Sequence, residues 1–217
     1  MKVYYIGVLR VASNESENDK QYAFDIATEK NLRDFGFLSR TPVSEFMTTF
    51  AKVVAAGTRP GQRQDVEQQD NTFHAYARTE GVCGVIITDY EYPALVAHQL
   101  LSKVTDEFLT AHPSSTWKAA NPTSDTFSET VTMPQSVDMP QLKEYIVKYQ
   151  DPHQADSIMK IQKELDETKI VLHKTIESVL QRGEKIDDLV EKSNDLGAQS
   201  RIFYKNAKKQ NSCCSVM

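Results

Sequence analysis

The feature that most constrains this chain is a heptad pattern along its C-terminal quarter. Apolar and small residues recur there at alternating steps of three and four, which places them along one seam of a coiled coil. The register holds for about seven heptads, far longer than an ordinary globular helix. The alternative, an amphipathic helix packed on its own domain, therefore fits less well. The seam positions are Ile158, Ile161, Leu165, Thr168, Leu172, Thr175, Val179, Arg182, Ile186, Leu189, Ser193, Leu196, Ser200, Phe203, Ala207 and Gln210.

The seam is too weak for a tight self-associating dimer. Four of its positions are hydroxylic, namely Thr168, Thr175, Ser193 and Ser200. Such layers bury little apolar area, so helix nucleation is poorly rewarded in the isolated segment. We expect a segment that is weakly helical alone and folds when partner helices arrive.

Arg182 stands in the core register between Val179 and Ile186. Burying an unpaired guanidinium costs several kcal/mol, so its donors need acceptors on other chains. A parallel homodimer would place two such cations face to face, whereas facing helices that supply amide oxygens would satisfy them. The alternative is an arginine whose head extends out of a two-helix seam into solvent. The first interpretation predicts a hetero-oligomer in which one polar layer fixes the register.

Composition excludes several classes of protein. The 217 residues include 25 basic and 30 acidic side chains, a net charge of −5 that argues against a surface built for nucleic acid. No apolar run approaches the roughly 18 residues of a spanning helix, and the N-terminus lacks a signal-peptide core, which predicts a cytosolic protein. Phosphate-binding loops and metalloprotease motifs are absent from the sequence, and the five histidines lack ligand spacing. We therefore expect neither an enzyme nor a metal or cofactor site.

The first half of the chain predicts a compact α+β unit. Residues 2–12 and, more weakly, 22–26 have strand composition, and residues 43–57 have helical spacing. A three-stranded meander follows, whose last segment, 82–90, reads as the central buried strand and contains Cys83 as a small apolar residue. An amphipathic helix from Pro93 to His112 completes the unit.

A polar linker and a short helix join this unit to the heptads. Residues 114–139 are rich in Ser, Thr, Pro, Asn and Asp, and residues 141–149 have helical spacing. The predicted divisions are 1–137 for the folded unit and linker, 138–157 for the connecting helix and its linker, 158–210 for the heptads and 211–217 for the tail.

The tail carries the signals of a lipid anchor. Cys214 begins a C-terminal Cys-Ser-Val-Met sequence, which fits the prenylation pattern and favours farnesyl because Met is last. Cys213 offers a second, palmitoyl site, and two lipids give the stable anchoring that one does not. Basic residues just upstream are attracted to anionic leaflets, namely Arg201, Lys205, Lys208 and Lys209. An incidental exposed terminus is the less favoured alternative.

Residues 179–190, VLQRGEKIDDLV, resemble the SNARE motif of synaptobrevin-type R-SNAREs. The resemblance implies a parallel four-helix bundle in which Arg182 is the zero layer and faces three glutamines from Qa, Qb and Qc helices. The other seam positions would then be the core layers from minus seven to plus eight. A lipid-anchored coiled-coil tether shares the heptads and the anchor but does not predict a core arginine.

The whole chain resembles the prenylated longin-domain R-SNAREs, synaptobrevin homologues of the Ykt type. Residues 4–8 (YYIGV), 61–64 (GQRQ), 76–78 (YAR) and 80–85 (EGVCGV) carry the longin part. The resemblance implies a longin domain with a five-stranded antiparallel sheet and flanking helices, followed by a long SNARE coiled-coil helix. It also implies a heptad segment that folds back in the soluble form and a groove that shelters the lipid.

The same resemblance implies that the function is vesicle docking and membrane fusion. It implies SNARE disassembly and tethering factors and membrane lipid as further partners, and cycling between cytoplasm and Golgi, endosomal, vacuolar and vesicle membranes. A lipidated chain with an open apolar seam needs cover in the cytosol. We expect the seam, including Leu165 and Leu172, to fold back onto the helix face that bears Phe46 and Phe50, so that its apolar side chains are covered.

Overall fold

The computed structural model describes residues 1–14, 20–118, 137–152, 169–180 and 183–213. The first part of the chain runs as two strands, a helix, three strands and three helices, and this order around an antiparallel sheet confirms the predicted α+β class. The first part contains β1 (Val3–Asn14), β2 (Lys20–Lys30), α1 (Arg40–Ala56), β3 (Arg63–Gln68), β4 (Asn71–Ala77), β5 (Val82–Asp89), α2 (Ala94–Ala111), α3 (Ser114–Lys118) and α4 (Gln141–Lys148). The C-terminal part contains β6 (Ile170–His173), a 3-10 helix (Ile176–Val179), α5 (Ile186–Lys192) and α6 (Ala198–Cys213).

One mixed sheet with the strand order β2-β1-β5-β4-β3-β6 organises the domain. Its first five strands pair antiparallel, as the sequence predicts. Strand β5 lies inside the sheet between β1 and β4, and seven of its residues are buried. The hydrophobic run at 82–88 thus becomes the central strand, because both of its faces are covered.

Alternate residues of the strands enter two separate cores, one on each face of the sheet. On one face, Ile6 and Ile86 pack against α2, α3 and α4. On the other face, Tyr5, Cys83 and Ile87 pack against α1 and the 3-10 helix. The apolar stripe of α1 therefore holds the helix on the sheet face to which the C-terminal segment also docks.

The heptad segment does not form one long helix in the described residues. Strand β6 joins the edge strand β3 in parallel, pairing Arg63 with Ile170 and Val66 with His173. The 3-10 helix, α5 and α6 follow as short pieces around α1. A continuous helix is the form expected of an assembled bundle. Without partner helices, the segment buries part of its apolar residues, Ile176 and Val179 among them, on the α+β domain, and the sheet gains a sixth strand.

Two further boundaries differ from the sequence prediction. Strand β2 extends over Lys20–Lys30, well beyond the stretch around residues 22–26, because it pairs with β1 along its length. Residues 114–118, assigned to the linker, form α3, and Trp117 is 1% exposed against the α2 core. A single aromatic side chain supplies the apolar area that orders this turn.

Candidate functional site

The candidate site is the closure interface, which we define as the contact between α1 and residues 176–180 and 183–208. The Glu45 carboxylate on α1 accepts hydrogen bonds from the Gly197 amide and the Ser200 hydroxyl, both at 2.7 Å. The Thr49 and Ser193 hydroxyl oxygens lie 3.4 Å apart. One turn of α1 thus binds the loop between α5 and α6 and the start of α6.

A half-buried ionic cluster continues the interface. Lys52 Nζ lies 2.8 Å from Asp195 and 3.2 Å from Asp25, so one ammonium joins α1, β2 and the C-terminal segment. Burial lowers the pKa of Lys52, but Asp25 and Asp195 outweigh it and the net shift is upward. Burial raises the pKa of Asp25, with Lys52 opposing. Lys52 therefore stays charged and ties the two parts of the chain together.

The 3-10 helix packs directly against the end of α1. Ile176 and Val179 are 0% and 8% exposed in the core beneath α1. A Cβ atom added to Gly57 would lie 2.6 Å from the Val179 carbonyl oxygen. Gly57 has φ of −80°, so glycine is needed here for the close backbone approach and not for backbone conformation.

A cavity of about 810 Å³ lies between α1 and the C-terminal helices. On the side of α1 and the sheet, the lining is mainly aromatic and aliphatic, including Phe46, Phe50 and Ile87, and it also contains polar residues at the turn between β3 and β4. On the opposite side, α6 contributes Tyr204 and Ala207. The volume lies within the range of about 300–1,000 Å³ that is typical of ligand sites.

Helices α5 and α6 are joined at the rim of this cavity by exposed ion pairs. Lys208 Nζ lies 2.7 Å from Asp187 Oδ1 and 2.5 Å from Oδ2, and Lys205 Nζ lies 3.2 Å from Glu191 Oε1. The Tyr204 hydroxyl donates to Asp187 at 3.1 Å. Lys208 and Tyr204 lower the pKa of Asp187, while burial and the bond to Asp187 raise the pKa of Tyr204 to about 12.

Phe46 and Phe50, which the sequence assigns to the docking face, lie on the side of α1 that faces the C-terminal segment. Their rings stack at 5.8 Å, and the Phe46 ring lies 6.1 Å from that of Tyr204. Both residues are half-buried and line the cavity. The polar residues that form most of the interface bonds, Glu45 and Lys52 among them, carry no distinctive sequence pattern and were missed.

The predicted core layers divide into three groups in the closed form. Val179, Leu196 and Ser200 are buried. Ile186, Leu189, Ser193 and Ala207 are half-buried, whereas Leu172, Thr175 and Phe203 are exposed. Outside the described residues lie Ile158, Ile161, Leu165, Thr168, Arg182 and Cys214, together with the side chains of Gln210 and Cys213.

The expectation that Leu172 is covered is wrong for this form. Its side chain is 53% exposed, because residues 170–173 form an edge strand with only part of each face covered. Conversely, Ile176 and Val190 are buried although neither stands in the heptad register. The 3.5-residue period describes one face of a continuous helix and cannot locate the faces of short, separate pieces.

The structure also joins three residues that the sequence leaves apart. His74 Nδ1 and His98 Nε2 each lie 2.7 Å from Asp65 Oδ1, and all three side chains are buried between the sheet and α2. Burial favours a raised pKa for Asp65, but the two histidine bonds lower it well below its usual range. Burial lowers the pKa of His98.

These three residues have metal-ligand chemistry, with ligand atoms within 4.8 Å of one another. His98 Nδ1, however, is buried without a hydrogen-bond partner. A metal-bound histidine carries a proton on its other nitrogen and needs an acceptor there. A neutral imidazole that donates from Nε2 leaves only a bare acceptor at that position, so the geometry fits a hydrogen-bonded carboxylate better.

Cys83 is 0% exposed, and burial raises the pKa of its thiol to about 12. Such a thiol is unreactive and serves as a small packing residue, as its place in an apolar strand predicts.

Within the part of the chain that the structure describes, no helix has the length and apolar character needed to cross a bilayer.

Comparison with known proteins agrees with this architecture. Residues 32–131 match the family model described as a longin, regulated-SNARE-like domain, and residues 157–215 match the synaptobrevin model. The chain is 54% identical over 217 residues to a Candida glabrata protein and 52% identical to a Saccharomyces cerevisiae protein, each named Synaptobrevin homolog YKT6. A protein of that name from Schizosaccharomyces pombe is 50% identical over 216 residues, and all three comparisons cover 100% of both chains. The chain belongs to the Ykt-type family of longin-domain synaptobrevin homologues.

Proposed function

We propose that this chain is an R-SNARE that acts in intracellular vesicle docking and membrane fusion. In the active form, the heptads pair with Qa, Qb and Qc helices in a parallel four-helix bundle, and Arg182 supplies the zero layer. Membership of the family, the synaptobrevin match over residues 157–215 and the heptad register support this proposal. Family membership also supports a protein that is not an enzyme.

The closure interface supports a second element, autoinhibition. Val179 and Ser200 are buried against the longin domain, and Leu196 is buried in the turn between α5 and α6, yet all three are predicted core layers of the bundle. One side chain cannot occupy both environments, so bundle assembly requires the segment to leave α1. This double use of the same residues is the observation that carries the proposal.

The cavity supports lipid shelter in the closed form. Its mainly apolar longin side and its volume of about 810 Å³ suit a farnesyl chain on Cys214, and α6 leads from the cavity towards the tail. Palmitoylation of Cys213 would add the second lipid that stable anchoring requires. The protein would then exchange between cytoplasm and the cytosolic faces of Golgi, endosomal, vacuolar and vesicle membranes. Tethering factors would act before assembly, and disassembly factors after it.

Substitution of the zero-layer residue, Arg182, tests the four-helix bundle directly. Arg182→Gln should impair fusion of vesicles that carry the three Q-SNAREs, and replacing one facing glutamine by arginine should restore it. A coiled-coil tether would tolerate Arg182→Gln, so full activity of the single variant would contradict the SNARE proposal. Leu180→Gln, two positions from the layer and outside the heptad register, is the control that should not impair fusion with the parental Q-SNAREs.

The tail is tested by fractionation. Cys214→Ser should leave the protein wholly soluble, whereas Cys213→Ser should leave a weakly bound, exchanging pool, because one lipid gives only marginal binding. If both variants sediment with membranes as the parent does, the anchor lies elsewhere.

A further inference from the structure

The lysines that bridge α6 to α5 are the same basic residues that stand next to the predicted anchor. Lys205 binds Glu191 and Lys208 binds Asp187. All four side chains are more than half exposed, so solutes and surfaces can reach both partners of each pair. The pairs are therefore open to competition from other anions.

These pairs act where α6 closes the cavity. Tyr204 and Ala207 of α6 line the cavity, and Asp187 of α5 lines it as well. Tyr204 also donates to Asp187, so one carboxylate holds two successive turns of α6. Loss of these bonds would free α6 from α5 at the cavity rim.

On an anchored chain, these lysines would lie close to the membrane surface. Helix α6 continues from Lys208 to Cys213, a distance of about 8 Å along the helix axis. A chain held at its last cysteines thus presents Lys205 and Lys208 within the reach of lipid headgroups.

Typical magnitudes favour the membrane over the internal pairs. An anionic leaflet strengthens binding about fivefold for each nearby basic residue. An exposed ion pair contributes about twofold. The lysines therefore exchange carboxylates for headgroups when the leaflet is anionic, and stay paired when it is neutral.

We propose that anionic lipid headgroups of a bilayer compete with Asp187 and Glu191 for Lys205 and Lys208, so that an anionic leaflet releases α6 and opens the cavity. This inference deepens the proposed function, since it rests on the anchor at the tail to bring the chain to the membrane. It makes lipid composition, in addition to the anchor, a determinant of opening.

The experiment couples the full chain to vesicles through Cys213 and Cys214 with a maleimide lipid. Cys83 is buried and does not compete for the reagent. The coupling replaces natural prenylation, so failure here is separate from failure of the anchor assignment or of SNARE assembly. Amide exchange over residues 186–208 is compared on phosphatidylcholine vesicles with and without phosphatidylserine.

Amide exchange should be about sixfold faster on the anionic vesicles. Each lysine gains about fivefold from the leaflet and loses about twofold from its ion pair, and the net factors of the two lysines multiply. Asp187→Asn with Glu191→Gln should exchange fast on both vesicles, because no internal partner remains. Lys205→Gln with Lys208→Gln should also exchange fast on both vesicles, because the bonds to Glu191 and Asp187 are lost and no lysine remains to bind the headgroups. Exchange that is equal on the two vesicles for the parent, or a full anionic response in the Asp187→Asn, Glu191→Gln variant, would overturn the competition.

A soluble headgroup separates the bilayer from its chemistry. Glycerophosphoserine at the same bulk concentration should leave exchange unchanged, because only a surface concentrates the charge. Equal acceleration by the soluble headgroup would overturn the assignment to a bilayer.

Discussion

Lys52 on α1 and Asp195, in the turn between α5 and α6, form a 2.8 Å ion pair across 143 positions of sequence. Lys52 also binds Asp25 of β2, and only 14% of its side chain is exposed. The pair thus fastens a SNARE segment to the folded domain through a charge that is largely removed from water.

Lys52→Met should weaken the closed form. The substitution keeps the apolar stem but leaves Asp195 and Asp25 without the ammonium, a loss of about 1–2 kcal/mol. Amide exchange over residues 186–208 should rise about 5–30-fold. Lys103→Met, which removes a more exposed lysine 4.0 Å from Glu107 on α2, is the matched control and should leave this exchange unchanged.

Gly57→Ala should displace the 3-10 helix. The new methyl group would meet the Val179 carbonyl oxygen at 2.6 Å, and a backbone atom cannot rotate away. We expect faster Q-SNARE assembly with the longin core intact. Gly36→Ala is the control, since its Cβ would meet nothing closer than 3.6 Å. Assembly at the parental rate for both variants would argue against docking of the 3-10 helix at this point.

Phe46→Glu should open the cavity, because its carboxylate would be desolvated between Phe50 and Tyr204 without a partner. Phe46→Leu keeps the apolar contact and should stay closed. The measurement is the fraction of farnesylated protein bound to vesicles, which should rise for glutamate alone. A similar rise for leucine would point to ring stacking in place of burial.

The Asp65–His74–His98 cluster predicts that the protein loses stability as the pH decreases. The folded pKa of His98 is lowered, chiefly by burial, so its contribution is complete above the unfolded pKa of about 6.5 and is lost as the pH falls towards the folded value. Asp65, also lowered, adds a loss that begins below about pH 4. Urea midpoints should therefore decrease between about pH 7 and pH 5.

His98→Asn should flatten this pH dependence, whereas His173→Asn on the half-buried edge strand β6 should not. If the midpoint of the parent stays constant over this interval, or if His98→Asn keeps the full slope, the buried cluster does not control acid stability.

The α+β domain is predictable from sequence because its signals are local. The apolar run at 82–88 specifies a central strand, and the helical spacing around Phe46 and Phe50 specifies α1 and its docking face. The C-terminal segment is different. Its heptads encode the partner-bound helix, so Leu172 stands in the register but is exposed in the closed form.

The polar contacts of the closure interface could not be predicted from the sequence. Glu45, Lys52 and Asp195 have no motif, and their pairing depends on how a segment some 140 positions away folds back. The Asp65 cluster was missed for the same reason, since β3, β4 and α2 bring its members together only in three dimensions.

Under the proposed autoinhibition, the closed segment must leave α1 before a SNARE bundle forms. Thr49→Cys with Ser193→Cys tests it most directly, since the native hydroxyl oxygens lie 3.4 Å apart and two thiols there can form a disulfide. With Cys213 and Cys214 replaced by serine, the oxidised variant should fail to assemble with Qa, Qb and Qc helices and should recover fully on reduction. Each single cysteine variant should assemble under both conditions. If the oxidised double variant assembles as fast as the same variant after reduction of its disulfide, release from α1 is not required for bundle formation.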